Sequence, residues 1–290
     1  MPYLNNTKTL PPSFNVPKKI IVCAKVLQFI SHNLVAWLAA KLFIRPVNYP
    51  VPKRERYMED SAQKKELTLS NNEKINVLSY GYSKRKILLV HGWSGRSTQL
   101  YRIADMLLEK GYMVISFDAP AHGKSTGKTS TLLQFLETIK VIQKQFGPFE
   151  AAVGHSLGAM SLFSAVNEGF KIKKMVSIGA GDKISDIILY FTNTLKLKPI
   201  IAKKMKAIYD KKWKLDIDIY ASSLKAKTIK IPILIIHDAN DGNVPVSCAF
   251  SIRKNLQNGV LLITRNLGHV KILNDKNTAS RVVDFINNSD

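Results

Sequence analysis

A single serine lies between two glycines at the point where an apolar run gives way to a helical pattern. The motif Gly-His-Ser-Leu-Gly occupies residues 154–158, directly after the apolar residues 151–153, and apolar side chains then recur at helical spacing. The pattern predicts a strand, a sharp turn that carries Ser156, and a helix. A serine hydroxyl becomes nucleophilic when a base takes its proton, and such a turn presents the hydroxyl to a base on another loop. It also aims the N–H of Leu157 at the place where an oxyanion would form.

A serine nucleophile needs a base, and the base needs an acid that orients it. Asp241 follows a later predicted strand and His269 follows the last one, so both lie past the carboxyl ends of strands, where open α/β sheets build their sites. Asp238 is the alternative acid, although it could instead cap the turn. His269 is favoured as the base because it follows the final strand. The other candidates for the base are His91, His122, His155 and His237.

Strands and helices alternate regularly from residue 66 onward, which predicts an α/β fold with a mostly parallel sheet covered on both faces. A hairpin over residues 66–80 precedes the alternation. Residues 181–228 interrupt it, and we predict that they form a small helical insertion, the cap, over the carboxyl edge of the sheet. The alternative is a surface helix pair with no role in substrate choice.

The first 60 residues predict a tail, an amphipathic helix over 20–44 and a proline-rich linker that precede a main domain over 61–290. Leu27, Ile30, Leu34 and Leu38 fall on the apolar face of this helix. The helix could pack on the main domain, lie at a membrane interface or span a membrane. The charged run 53–56 is expected to be solvated.

The formal net charge is +22, which fits a lysine-rich surface, an anionic membrane surface as partner through residues 20–44, or nucleic acid. Nucleic acid is disfavoured because the lysines are scattered and no recognition motif occurs. Cys23 and Cys248 lie too far apart in sequence to indicate a disulfide framework or metal cluster. We therefore expect a cytoplasmic protein, with peripheral attachment to the inner membrane as the alternative. No metal and no cofactor are expected.

Five motifs together resemble those of the α/β-hydrolase superfamily, in particular its branch of esterases and lipases. The resemblance covers roughly residues 66–286. One motif, residues 118–125, is similar to the family's Asp-x-Pro-Gly-His-Gly-x-Ser turn but has Ala121 where glycine is usual. The other four are His-Gly-Trp at 91–93, the serine turn at 154–158, the acid loop at 237–245 and Gly-His at 268–269.

The resemblance implies an acyl-transfer enzyme in which Ser156, His269 and Asp241 form the triad and the N–H groups of Trp93 and Leu157 form the oxyanion hole. The most direct implication is a carboxylesterase or small lipase that acts on medium-sized acyl esters through an acyl-enzyme. Peptidases, thioesterases and acyltransferases use the same triad. A hydrolase-fold binding protein at a membrane surface with little turnover is the alternative of a different class. The side chains of Trp93 and Arg96 could line the acyl pocket or face solvent.

Overall fold

A sheet of eight strands is the framework of the part of the chain that the computed structural model describes, residues 9–10 and 16–288. The strands are β1 (Gln63–Thr68), β2 (Lys74–Tyr80), β3 (Lys86–Val90), β4 (Met113–Phe117), β5 (Ala151–His155), β6 (Lys174–Ile178), β7 (Ile233–Asp238) and β8 (Gly259–Thr264). The α-helices are α1 (Lys18–Ile30), α2 (His32–Phe43), α3 (Arg56–Ser61), α4 (Tyr101–Glu109), α5 (Leu132–Phe146), α6 (Leu157–Asn167), α7 (Ile184–Thr194), α8 (Pro199–Trp213), α9 (Ser222–Ala226), α10 (Ser247–Asn255), α11 (Gly268–Lys271) and α12 (Lys276–Asn287). Short 3₁₀ turns occupy Lys53–Glu55, Ile217–Tyr220 and Ile272–Asn274.

The spatial order of the strands is β1-β2-β4-β3-β5-β6-β7-β8. β1 and β2 form the predicted antiparallel hairpin, and β2 pairs with β4 antiparallel, whereas β3 to β8 are all parallel. Every residue of β5 is buried, as expected for a parallel strand that has helices on both faces. The predicted mostly parallel, doubly covered sheet is therefore confirmed. Because the strands run in one direction, the loops after β5, β7 and β8 meet at one edge.

Each face of the sheet is covered by its own apolar layer. On one face, α5 and α6 contribute Phe135, Ile139 and Phe163, all fully buried. On the other, α4 and α12 contribute Leu107 and Val282, also fully buried. Burial of a side chain of this size stabilises the fold by about 1.5–3 kcal/mol, so these two layers hold the sheet rigid beneath the loops at its edge.

The cap is helical as predicted, and it carries a third apolar cluster. Its helices α7 and α8 pack against α2, whose Ala36 lies beside cap residues such as Ile201 and Met205 in that cluster. The Tyr209 hydroxyl of α8 donates a hydrogen bond of 2.6 Å to the carbonyl of Ala40. The cap is also tied to the acid loop, because the Tyr190 hydroxyl of α7 donates to the carbonyl of Gly242 at 2.9 Å.

The prediction of a single helix over residues 20–44 is wrong, because the structure has two helices that meet at Ser31. The backbone of Ser31 is extended, and its hydroxyl oxygen accepts a hydrogen bond from the N–H of Leu34. Serine favours this N-cap position because it satisfies an N–H that has no partner inside the helix. The buried side of α2 also differs from the predicted apolar face, since Leu34 and Leu38 are exposed.

The predicted tail lies largely outside the described residues, which omit 1–8 and 11–15. Within the described chain, no helix has both the length and the apolar character needed to cross a membrane.

The charged run 53–56 is not wholly solvated, because Glu55 is only 3% exposed. Its carboxylate lies 3.3 Å from Arg96 Nε and accepts a hydrogen bond of 2.7 Å from the Thr98 hydroxyl. Both partners belong to the chain that follows β3. The positive charge of Arg96 and the hydroxyl of Thr98 offset the cost of burying the carboxylate. This part of the predicted linker is therefore fixed to the main domain.

We predict that Glu55→Ala lowers the free energy of unfolding by about 3 kcal/mol, because it leaves the Arg96 guanidinium buried without its partner. Denaturant unfolding followed by circular dichroism measures the change. The matched control is Glu168→Ala, which removes an exposed ion pair with Lys140 and is expected to cost less than about 1 kcal/mol. Equal losses for the two variants would contradict the importance of the Glu55 contact.

Candidate active site

Ser156 adopts a strained backbone conformation between β5 and α6, with φ +51° and ψ −118°. Two neighbouring glycines make this turn feasible. A Cβ at Gly154 would lie 2.6 Å from the Cα of Ala159, and a Cβ at Gly158 would collide with the carbonyl of Val90. The close approach of strand and helix therefore excludes side chains at both positions, as the sequence predicts. Strain at a serine in a sharp turn is typical of a functional position.

The structure brings the three residues predicted for the triad together in series. His269 Nε2 lies 3.0 Å from the Ser156 hydroxyl oxygen, and His269 Nδ1 lies 2.7 Å from Asp241 Oδ2. Ser156 follows β5, His269 follows β8 and Asp241 follows β7, which places all three at the carboxyl edge of the sheet. Both distances are within hydrogen-bonding range, so a proton can pass from the hydroxyl to the imidazole.

The Asp241 carboxylate is buried and receives several hydrogen bonds. Its second oxygen, Oδ1, accepts from the backbone N–H groups of Asn243 at 2.8 Å and Val244 at 3.0 Å. Burial alone would raise the pKa of Asp241, but the hydrogen bond and charge of His269 together with these two N–H groups hold it below its ordinary value. Asp241 is therefore ionised at neutral pH and can stabilise a positive charge on His269.

Asp238, the alternative acid, has a different set of partners. Its oxygens accept hydrogen bonds from the N–H of Asn240, the hydroxyl of Thr264 and the N–H of Leu267 at 2.8–3.1 Å. These contacts tie the loop after β7 to the loop after β8. Asp238 thus positions the loops that carry Asp241 and His269, and the geometry favours Asp241 as the acid.

Two of the competing histidines hold backbone turns beside the serine. His91 Nε2 accepts from the N–H of Ala119 and its Nδ1–H donates to the carbonyl of Gly92. His122 makes the same type of pair, in which Nε2 accepts from the N–H of Ser94 and Nδ1–H donates to the carbonyl of Pro120. Each ring uses one donor and one acceptor, so both are neutral. Burial lowers the pKa of His91 to about 4 and that of His122 to about 3.

The other two competing histidines lie next to His269 and Asp241. The ring of His155 lies 4.7 Å from that of His269, and its Nε2–H donates to the His269 carbonyl at 2.9 Å. Burial, with the neighbouring His269, lowers the pKa of His155 to about 3. His237 Nε2 donates to the carbonyl of Val244, and burial lowers its pKa as well. These histidines support the loops, which leaves His269 as the imidazole that contacts the serine.

The predicted oxyanion donors both lie next to the serine turn. Leu157 is the first residue of α6, and Trp93 follows Gly92, at which a Cβ would lie 3.0 Å from the Cβ of Ser156. Among the described residues, neither the Trp93 N–H nor the Leu157 N–H has a hydrogen-bond acceptor. Both groups are therefore available to a substrate oxygen.

The side chains of Trp93 and Arg96 have different surroundings. Trp93 is partly exposed and packs edge-on against His122 with ring centroids 5.5 Å apart. Arg96 is directed at Glu55, so it does not fit a role in an acyl pocket.

Local sequence patterns do not reveal some of the contacts near the site. The N–H of Leu10 donates to the carbonyl of Asn240 at 2.8 Å, and its side chain packs beside Gly268. Gly179 lies at the end of β6 with φ +59°, and a Cβ there would lie 3.4 Å from the His269 ring. Each contact joins segments far apart in the chain, so spacing alone gives no signal for it. The residues that the structure describes contain no group of three or more ligands able to hold a metal.

Two family models match the chain. One, described as the alpha/beta hydrolase fold, matches residues 86–211, and a second, described as TAP-like protein, matches residues 211–289. Together they span the parallel strands and all three residues of the series. The chain belongs to the α/β-hydrolase superfamily. No curated protein matches this hydrolase significantly in sequence.

Solved structures similar to this α/β hydrolase include two esterases and a phospholipase. The esterase from Pyrococcus furiosus is 19% identical, with a TM-score of 0.63 over 84% of this chain and 97% of the esterase. The esterase from Exiguobacterium antarcticum is 18% identical, with a TM-score of 0.60 over 78% of this chain and 100% of the esterase. A bacterial membrane phospholipase A is 15% identical, with a TM-score of 0.63 over 94% of this chain and 100% of the phospholipase. At these identities the similarity is one of fold.

The buried neutral histidines predict a loss of stability in mild acid. His91, His122 and His155 have pKa values of about 4, 3 and 3 in the folded chain, against 6.5 for an ordinary histidine. The unfolded chain therefore binds more protons between these limits, and the free energy of unfolding falls as the pH drops below 6.5. Between pH 6 and pH 5 we expect a decrease of about 3 kcal/mol, measured by urea unfolding at both values. Equal stability at the two pH values would show that these rings are not held neutral.

The assignment of the acid is tested by exchanging each aspartate for asparagine. Asp241→Asn removes the charge that orients His269, and we expect kcat/KM for a nitrophenyl ester to fall by about 10³- to 10⁴-fold. Asp238→Asn is the matched control, and we expect it to lower thermal stability more than kcat/KM. The reverse ranking of kcat/KM losses would make Asp238 the acid.

Proposed function

We propose that this α/β hydrolase cleaves carboxylic esters through an acyl-enzyme formed on Ser156. The observation that carries the proposal is the hydrogen-bonded series of Asp241, His269 and Ser156, in which the Ser156 hydroxyl contacts one nitrogen of the His269 imidazole and the buried Asp241 carboxylate contacts the other. A binding protein with little turnover would not require a base at the serine or an ionised acid behind that base. The series therefore favours an enzyme.

The first half of the reaction transfers the acyl group to the enzyme. His269 Nε2 takes the proton of Ser156 as the hydroxyl oxygen attacks the ester carbonyl carbon. The carbonyl oxygen becomes negatively charged and accepts hydrogen bonds from the N–H groups of Trp93 and Leu157. Loss of one such donor typically costs about 3 kcal/mol of transition-state stabilisation. His269 then donates its proton to the departing alkoxide, which leaves as the alcohol.

The second half regenerates the serine. His269 takes a proton from a water molecule, and the resulting hydroxide attacks the acyl carbon on Ser156. The intermediate releases the carboxylic acid as His269 returns a proton to the serine oxygen. Throughout both halves, the Asp241 carboxylate keeps the Nδ1–H of His269 in place and stabilises the imidazolium.

The choice of esters over amides or thioesters is supported by the comparisons. Two of the similar structures are described as esterases and one as a phospholipase A, all of which cleave esters. The cap contacts the acid loop through Tyr190, so it lies beside the edge that carries Ser156. We propose a medium-sized acyl ester as substrate. The peptidase, thioesterase and acyltransferase alternatives would use the same residues.

A fluorophosphonate probe tests the nucleophile directly. We expect it to label the wild-type chain and to fail with Ser156→Ala, because the phosphorus bonds to the activated serine oxygen. Ser161→Ala is a matched control on α6, the helix that follows Ser156. The Ser161 hydroxyl donates to the carbonyl of Leu157, and we expect this variant to retain labelling. Gel fluorescence measures the extent of labelling.

Labelling of Ser156→Ala to the wild-type extent would refute the proposal. A panel of nitrophenyl esters from acetate to palmitate then tests the substrate class, and we expect kcat/KM to be highest for intermediate chain lengths. A higher kcat/KM for an amide or thioester substrate than for any of these esters would replace the ester assignment with one of the alternatives.

A further inference from the structure

The two N-terminal helices expose an unusually apolar surface. None of the residues of α1 is buried, and Phe29 at its end is 94% exposed. A helix of this length that gains so little from packing is marginal in water unless another surface covers it. The exposed apolar side chains of the two helices include Val22, Val26, Phe29, Ile30, Trp37 and Leu42.

These apolar side chains lie in a segment that carries only positive charge. The first 54 residues contain eight lysines or arginines and no aspartate or glutamate. On α2, the ammonium group of Lys41 lies 3.5 Å from the centre of the exposed Trp37 ring. An indole and a cation side by side at a helix surface suit the boundary between acyl chains and headgroups.

The cap extends the same positive surface. Residues 196–214 contain eight lysines and one aspartate, and most of these lysines are exposed. Two contacts fix this stretch against the N-terminal helices. Lys204 Nζ donates to Asn33 Oδ1 at 2.7 Å, and the N–H of Lys198 donates to Gln28 Oε1 at 2.6 Å. The lysines of α8 and the exposed apolar side chains of α1 and α2 are therefore parts of one assembly.

We propose that α1 and α2, with the lysines of the cap, bind the surface of an anionic phospholipid membrane. The apolar side chains would enter the acyl-chain boundary, and the lysines would contact the negative headgroups. A second copy of the chain fits less well, because it would bring two surfaces of the same charge together. Nucleic acid would leave the apolar side chains without a partner. The proposal goes beyond ester hydrolysis, since it does not involve Ser156.

Co-sedimentation of the full chain with vesicles tests this membrane proposal. Vesicles of phosphatidylglycerol and phosphatidylcholine at equal amounts are compared with pure phosphatidylcholine. We expect the partition coefficient to be at least tenfold higher on the anionic vesicles, and 0.5 M NaCl to remove most of this preference because it screens the charges. Equal partitioning on both vesicle types would overturn the proposal.

The apolar contribution is tested with Val26→Glu/Phe29→Glu, which we expect to lower the partition coefficient at least tenfold. Both side chains are exposed, so the fold is expected to be retained, and circular dichroism checks this. Tyr82→Glu is the matched control, because Tyr82 is 85% exposed in the loop that precedes β3, at the edge of the sheet opposite the site. Wild-type partitioning of Tyr82→Glu is expected, and an equal loss in both variants would overturn the proposal.

The charge contribution is tested with two triple variants that change the net charge equally. Lys18→Gln/Lys19→Gln/Lys25→Gln is expected to lower the partition coefficient about 100-fold, since each lysine near a membrane surface contributes to binding. The control exchanges Lys64, Lys65 and Lys84, which are exposed elsewhere, for glutamine. Equal losses in both triples would overturn the proposal, because net charge alone would then explain the binding. A dimer in light scattering that Val26→Glu/Phe29→Glu dissociates would assign the surface to a second copy instead.

Discussion

The contact between the buried Asp241 carboxylate and His269 Nδ1 depends on how the strands are arranged. Two adjacent parallel strands, β7 and β8, deliver the acid and the base to the same edge, and β5 delivers the serine. The N–H groups of Asn243 and Val244 hold the remaining carboxylate oxygen, and Asp238 joins the two loops. The carboxylate is thereby kept ionised in a buried position, where its charge acts on the imidazole with little screening.

The serine turn is held by a second set of constraints. Glycines at 154 and 158 allow the strand and the helix to approach, and a third at 92 lets the preceding loop lie against Ser156. His91 and His122 fix the neighbouring turns with rings that burial keeps neutral. A preorganised site of this kind needs little rearrangement when charge develops on a substrate oxygen. The same burial makes the fold sensitive to acid. Burial of these histidines therefore both fixes the turns at the site and lowers the stability of the fold in acid.

Most of the fold and of the candidate site could be predicted from the sequence because the signals are local. Apolar runs and turn residues mark the parallel strands, and the motif at 154–158 marks the serine turn when an apolar run precedes it and a helical pattern follows it. The break at Ser31 is not visible in the pattern because apolar residues continue through it, while one side-chain hydrogen bond starts a new helix. The burial of Glu55 and the contact of Leu10 with Asn240 join distant segments, and neither leaves a local pattern. Long-range pairings of polar groups are thus the part that spacing does not encode.

The proposed ester hydrolysis depends on three loops that meet so closely that a hydroxyl, an imidazole and a carboxylate act in series. A crystal structure of the chain after reaction with a phosphonate ester tests this most directly. We expect a bond between phosphorus and the Ser156 oxygen, with the phosphoryl oxygen within about 3.1 Å of the N–H groups of Trp93 and Leu157. We also expect His269 to stay hydrogen-bonded to Asp241. Phosphorus on another residue, or a His269 ring turned away from both Ser156 and Asp241, would contradict the proposed mechanism.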